Sequence, residues 1–128
     1  MKVKRFEDLE CWQEARKLMK QLYEIIKTDT FAKDYRLRDQ IIGAGISIMN
    51  NIAEGFDSQS NAEFIRFLRY SRRSSAEVQN CLYIAFDQEY IDEQKMEAIY
   101  KHADKVRQII DGLIRYLRKN RTSTRSAP

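Results

Sequence analysis

The chain has 128 residues and a mass of 15.3 kDa, enough for one domain with a real core and too short for two. It is 33% charged and 43% hydrophobic with only four glycines and one proline, which excludes a disordered chain, a collagen-like repeat and a loop-rich small β fold. The net charge of +4 is uneven: residues 1–111 carry 18 bases against 19 acids, whereas Arg115, Arg118, Lys119, Arg121 and Arg125 have no acid among them.

Met1-Lys2-Val3-Lys4-Arg5 leads into Glu7, Asp8 and Glu10 rather than an apolar run, so no signal peptide is expected. The first periodic segment runs from about residue 9 to 27. Trp12, Ala15, Met19, Leu22 and Ile26 are spaced 3, 4, 3, 4 on one helical stripe. Asp8 is a candidate cap for it, and Phe6 is placed to fold back on the stripe. Thr28 to Lys33 is short and polar and reads as a loop.

The second segment spans about 34–56. Leu37, Ile41, Ala44 and Ile48 form one stripe, and Ile42, Ile46, Met49 and Ala53 lie on a neighbouring face. Its 14 uncharged positions from Gln40 to Ala53 are too few and too polar to span a membrane, which takes about 18 apolar residues. They predict a helix buried on more than one face. Gly43, Ala44, Gly45 and Ser47 would let another backbone approach closely, and Gly55 suits a left-handed C-terminal cap.

Ser60-Asn61-Ala62-Glu63 is a capping box opening a third segment over about 61–88. There Phe64, Phe67, Ser71, Ser75, Val78, Leu82 and Ala85 keep the helical spacing. Asp92 can cap the fourth segment, about 93–118, with Met96, Ile99, Ala103, Val106, Ile110, Leu113 and Leu117 as its stripe. Short connections between four such helices predict an all-α, up-down-up-down antiparallel four-helix bundle over residues 1–118. Residues 119–128 are expected to form a basic, flexible tail.

The residue inventory argues against catalysis and against a metal or cofactor. His102 is the sole histidine, Ile99 stands where a Glu-x-x-His pair would need its acid, and Cys11 and Cys81 are 70 positions apart. The cysteines fit a reduced, cytoplasmic setting in which both behave as small apolar residues. No Gly-rich phosphate loop follows a strand.

Two polar constellations stand out. Gln40, Ser47, Asn51 and Glu54 share a face of the second helix, with Glu77 and the arginines of the third as candidate partners. They read either as an interhelical network that fixes register, with arginine neutralising Glu54, or as a ligand pocket. Arg66, Arg69, Arg72 and Arg73 beside Tyr70 suit phosphate contact and base stacking, and a solvated charged face explains them as simply.

Several of these residues also form a recognisable pattern. Phe6-x-Asp8-Leu9-x-x-Trp12-Gln13-x-Ala15, Gln40-Ile41-x-x-Ala44-x-x-Ser47-Ile48-x-x-Asn51-Ile52-Ala53-Glu54-Gly55, Phe67-Leu68, Ser74-x-x-Glu77 and Leu82-Tyr83-x-Ala85 cover most of residues 6–118. Together they resemble the four-helix-bundle proteins encoded in intervening sequences of bacterial large-subunit ribosomal RNA genes. A similar group is the accessory variability determinant of diversity-generating retroelements. Ala32 and Met49 stand where the family often has proline, and Arg73 where it usually has glycine.

The resemblance implies a cytoplasmic homopentamer forming a barrel. For the retroelement branch it also implies binding to a reverse transcriptase and to template RNA in mutagenic retrohoming. The function expected here is therefore non-enzymatic: an oligomeric accessory protein that holds RNA, with DNA left open, and engages no membrane. Arg66, Arg69, Arg72, Arg73, Arg115, Arg118, Lys119, Arg121 and Arg125 are the expected contacts. The alternative is a protein-interaction module of the ribosomal RNA intervening-sequence family that binds no nucleic acid.

Overall fold

A computed structural model of the chain describes residues 2–120. A 3-10 turn at Phe6–Asp8 leads into α1 (Glu10–Ile25), α2 (Asp29–Lys33), α3 (Tyr35–Asp57), α4 (Asn61–Asp87) and α5 (Glu93–Lys119), and no strand occurs among the described residues. Three starts are set by side-chain oxygens that accept otherwise orphaned backbone N–H groups. Asp34 accepts from Leu37 at 3.0 Å, Ser60 from Glu63 at 3.3 Å and Asp92 from Lys95 at 2.7 Å. Asp8 does not serve α1 in this way: it closes the 3-10 turn, and the chain enters α1 through the buried Leu9. Phe6 does fold back, its ring meeting Trp12 edge-on at 5.5 Å.

Two expectations are corrected. The segment 28–33 is not a plain loop, because Asp29–Lys33 is helical. Phe31 is the cause: fully buried, it stacks on Tyr90 at 5.1 Å and pins this single turn to the core. The Tyr90 hydroxyl in turn donates to Asp34 Oδ2 at 2.9 Å.

The second correction is Gly55, which does not cap α3. The helix runs through it to Asp57, no glycine has a positive φ, and Gln59 takes the left-handed conformation at φ 59°. What requires glycine at 55 is proximity. A Cβ there would lie 2.8 Å from both Phe64 Cδ1 and Phe67 Cβ.

In the resulting helical bundle α1 packs on α3 and α5, α3 on α4, and α4 on α5. Phe64, Leu18, Leu22, Ile41, Ile48 and Leu82 are among its fully buried side chains. Small residues set the spacing of the α3–α4 and α4–α5 seams. Ser71 donates to the Ile48 carbonyl at 2.8 Å and Ser75 to the Ala103 carbonyl at 3.0 Å, so these buried hydroxyls stay paired while the backbones come close. Gly55 against Phe64, Ile48 against Ser71 and Ser47 against Ser74 descend α3 as they climb α4.

The glycines of α3 should respond to alanine with opposite signs. Gly43 is exposed and a Cβ there meets nothing within 4 Å, so Gly43→Ala should stabilise by about 0.5–1 kcal/mol through helix propensity. Gly55→Ala drives a methyl into the root of Phe67 and should destabilise by about 1–3 kcal/mol. Paired urea melts would show the first midpoint rising and the second falling.

Candidate functional site

The arginines of α4 lie on its exposed side and fall into two groups. Arg66 is held by Glu63 through Nη2 at 2.7 Å and Nε at 3.2 Å, donates to the Tyr70 hydroxyl at 3.1 Å and lies over the Phe67 ring. That guanidinium keeps the Glu63 carboxyl below the usual carboxylate range, while Glu63 and Tyr70 raise Arg66 further. Arg72 is tied to Asp111 of α5 at 2.8 Å. Arg69 and Arg73 are exposed with no acidic partner among the described residues, and Arg73 lies 5.2 Å over the face of Tyr70.

The α5 bases join this end of the molecule. The Arg72–Asp111 pair and a 2.7 Å hydrogen bond from Asn61 Nδ2 to the Asn120 carbonyl hold the first half of α4 against the last half of α5. Asp111, Arg115 and Arg118 are spaced 4 and 3 on one α5 stripe. Arg115, Arg118 and Lys119 are exposed and make no ion pair among the described residues. Arg121 and Arg125 lie outside the described residues. The arrangement is thus a cationic end with Tyr70 and Phe67 among its guanidinium groups, able to contact phosphates and to offer aromatic faces.

The polar face of α3 is built differently from the sequence expectation. Asn51 Nδ2 donates to the Ser47 carbonyl at 2.8 Å and to Ser47 Oγ at 3.0 Å, and the Ser74 hydroxyl reaches Ser47 Oγ at 2.9 Å. Glu54 is exposed and has no arginine partner among the described residues; its outward position leaves no buried charge to neutralise. Gln40 and Glu77 are also exposed and line a shallow polar groove with Ser47. Ser74 stands in the family pattern, but nothing in its spacing marks it as a partner of Ser47.

Two further contacts lie outside the sequence expectation. Glu63 with Arg66 follows an i,i+3 rule and so has a signal in the sequence. Asp111 opposite Arg72 has none, since 39 positions separate them.

His102 bridges α1 and α5, with Nε2 2.9 Å from Glu14 Oε1 and Nδ1 2.6 Å from Gln21 Oε1. Glu14 is only 7% exposed and also meets Lys17 at 3.1 Å and Lys105 at 3.6 Å. Its hydrogen bonds to His102 and Lys17 hold its carboxyl down at about 2. Cys11 and Cys81 are buried, and burial pushes the Cys11 thiol up to about 12. Among the described residues no group of three His, Cys, Asp or Glu is placed to hold a metal ion, and no helix is long and apolar enough to cross a membrane.

These features define an all-α helical-bundle protein with a cationic end. The model of the 23S rRNA-intervening sequence protein family matches residues 7–112, and the chain belongs to that family. A solved relative by fold is a protein of unknown function from the S23 ribosomal protein family of Bacteroides thetaiotaomicron. The two share 22% identity and a TM-score of 0.74, with 81% of this chain and 97% of that one covered. No curated protein matches the chain.

Proposed function

We propose that the chain is a non-enzymatic, cytoplasmic accessory protein that binds RNA electrostatically through the α4–α5 end. The observation carrying this reading is that Arg69, Arg73, Arg115, Arg118 and Lys119 gather there exposed and without acidic partners among the described residues. Guanidinium groups with a stacked tyrosine suit a single-stranded or looped RNA, whose phosphates and unstacked bases are both within reach. Arg66 and Arg72, each already satisfied by a carboxylate, position the surface more than they bind.

The helices are proposed to run up-down-up-down, and copies of the bundle to assemble into the homopentameric barrel that the family resemblance implies. Ile46, 42% exposed, with the half-buried Ile42, Met49 and Ala53, supports self-association through the outer flank of α3. Assembly would repeat the cationic end around one particle, raising avidity for a polyanion. In the retroelement form of the proposal the particle presents template RNA to a reverse transcriptase.

The test is a fluorescence-anisotropy titration of a labelled structured RNA at several salt concentrations. The logarithm of the binding constant should fall with the logarithm of salt at a slope of about −0.7 for each phosphate contact. Arg69→Ala/Arg73→Ala/Arg118→Ala should weaken binding at least tenfold, on the order of 1.4 kcal/mol. No binding at low salt, or equal binding by the variant, overturns the reading in favour of a protein-interaction module without nucleic acid.

A further inference from the structure

At the opposite end of α4 and α5 from the arginines lies a groove of about 600 Å³. Tyr83, Phe86, Met96 and Tyr100 form its apolar lining. Tyr83 is 50% exposed, and its ring meets Tyr100 edge-on at 5.6 Å. Asp87, Glu93 and Glu97 stand on the rim with Lys101, three carboxylates to one ammonium. None of the three makes an ion pair among the described residues. Open aromatic faces flanked by unpaired carboxylates attract guanidinium and ammonium groups, and the stems of those side chains pack on apolar walls.

We propose that this groove receives the basic C-terminal segment, Arg118 onward, of a second copy of the chain. Charge complementarity selects that occupant: Arg118, Lys119, Arg121 and Arg125 belong to the stretch of 112–128 that holds no acid. Distance makes the contact intermolecular. From Glu97 to Lys119 the helix rises about 33 Å at 1.5 Å per residue. Arg118 and Lys119, at the far end of that helix, therefore lie a helix length from their own chain's groove, and only a second copy can bring them to it.

The groove lies at the end of the bundle away from Arg69 and Arg73, but its occupant includes Arg118 and Lys119 of the proposed RNA surface, so the contact is measured in nuclease-treated protein, where RNA does not compete for them. A fluorescein-labelled peptide of residues 118–128 is titrated into the full chain. Saturable binding is expected, weakening with salt and at least tenfold weaker in Glu93→Gln/Glu97→Gln, whose exposed positions leave the core untouched.

A second measurement places benzoylphenylalanine at position 83 of isotope-labelled full chain and mixes it with unlabelled chain before irradiation. Cross-links should join the labelled groove to unlabelled residues 118–128. Non-saturable peptide binding, binding unchanged in the glutamine variant, or cross-links that map elsewhere or only within one chain would overturn the proposal. RNA binding could fail without altering any of these readouts.

Discussion

Phe64→Ala should lower the unfolding free energy by about 3–5 kcal/mol, the usual cost of emptying a buried aromatic site. Phe64 has no exposed surface, meets the Phe56 ring edge-on at 6.0 Å and is the side chain Gly55 was kept small to admit. The cavity would open where α3 turns into α4, so the neighbouring backbones have little freedom to collapse on it. Chemical denaturation followed by far-ultraviolet circular dichroism reads the change. Phe67→Ala, whose ring is only half-buried, should cost clearly less, and the ranking of the two checks the seam.

The second large effect concerns the α1–α5 contact. Glu14, itself nearly closed to water, accepts from His102 and Lys17 and pairs with Lys105 at 3.6 Å, so Glu14→Ala leaves the half-buried His102 ring without its carboxylate while the two exposed ammonium groups return to water. A loss of about 1–3 kcal/mol at neutral pH is expected. The pH dependence carries a definite sign. The folded carboxyl titrates at about 2 rather than near its ordinary 4.5. Its contribution is therefore fully present above about pH 4.5 and is lost as the pH falls through 2. The stability gap between native chain and variant should shrink as the pH falls from 4.5 to 2. A gap that widens across that window would contradict the ion-pair geometry.

Much of the fold follows from periodicity because each long helix repeats its apolar positions over several turns. Met96, Ile99, Ala103, Val106 and Ile110 of α5 are all buried as spaced. Even so, Ile114 goes inside while Leu113 stays half-buried, a choice between adjacent positions that a 3/4 pattern leaves open. In α1 the expected stripe catches Ala15, Met19 and Leu22 but misses Leu18 and Ile25. That helix faces both α3 and α5, so two neighbouring stripes are buried at once. The α2 turn left no periodic trace, since its five residues hold a single buried ring and depend on Tyr90 far along the chain.

The candidate site divides along the same line. That arginines crowd the first half of α4 and the end of α5 is plain from residue order. Which of them remain open to a ligand is a tertiary matter, decided by Asp111 reaching Arg72 and by Glu63 occupying Arg66. The polar face of α3 departs from its spacing at Glu54 for a related reason. Spacing puts Glu54 in line with Ser47 and Asn51, but only the backbone approach permitted by Ser74 determines where the hydrogen bonds close.

The most direct test is ultraviolet cross-linking of the protein to a structured RNA, followed by mapping of the modified peptides. Adducts concentrated at Phe67, Tyr70 and the peptides spanning 66–73 and 113–119 are the result expected of a cationic α4–α5 surface. Adducts confined to α1 and α3, or none at low salt from protein that remains folded, would contradict it.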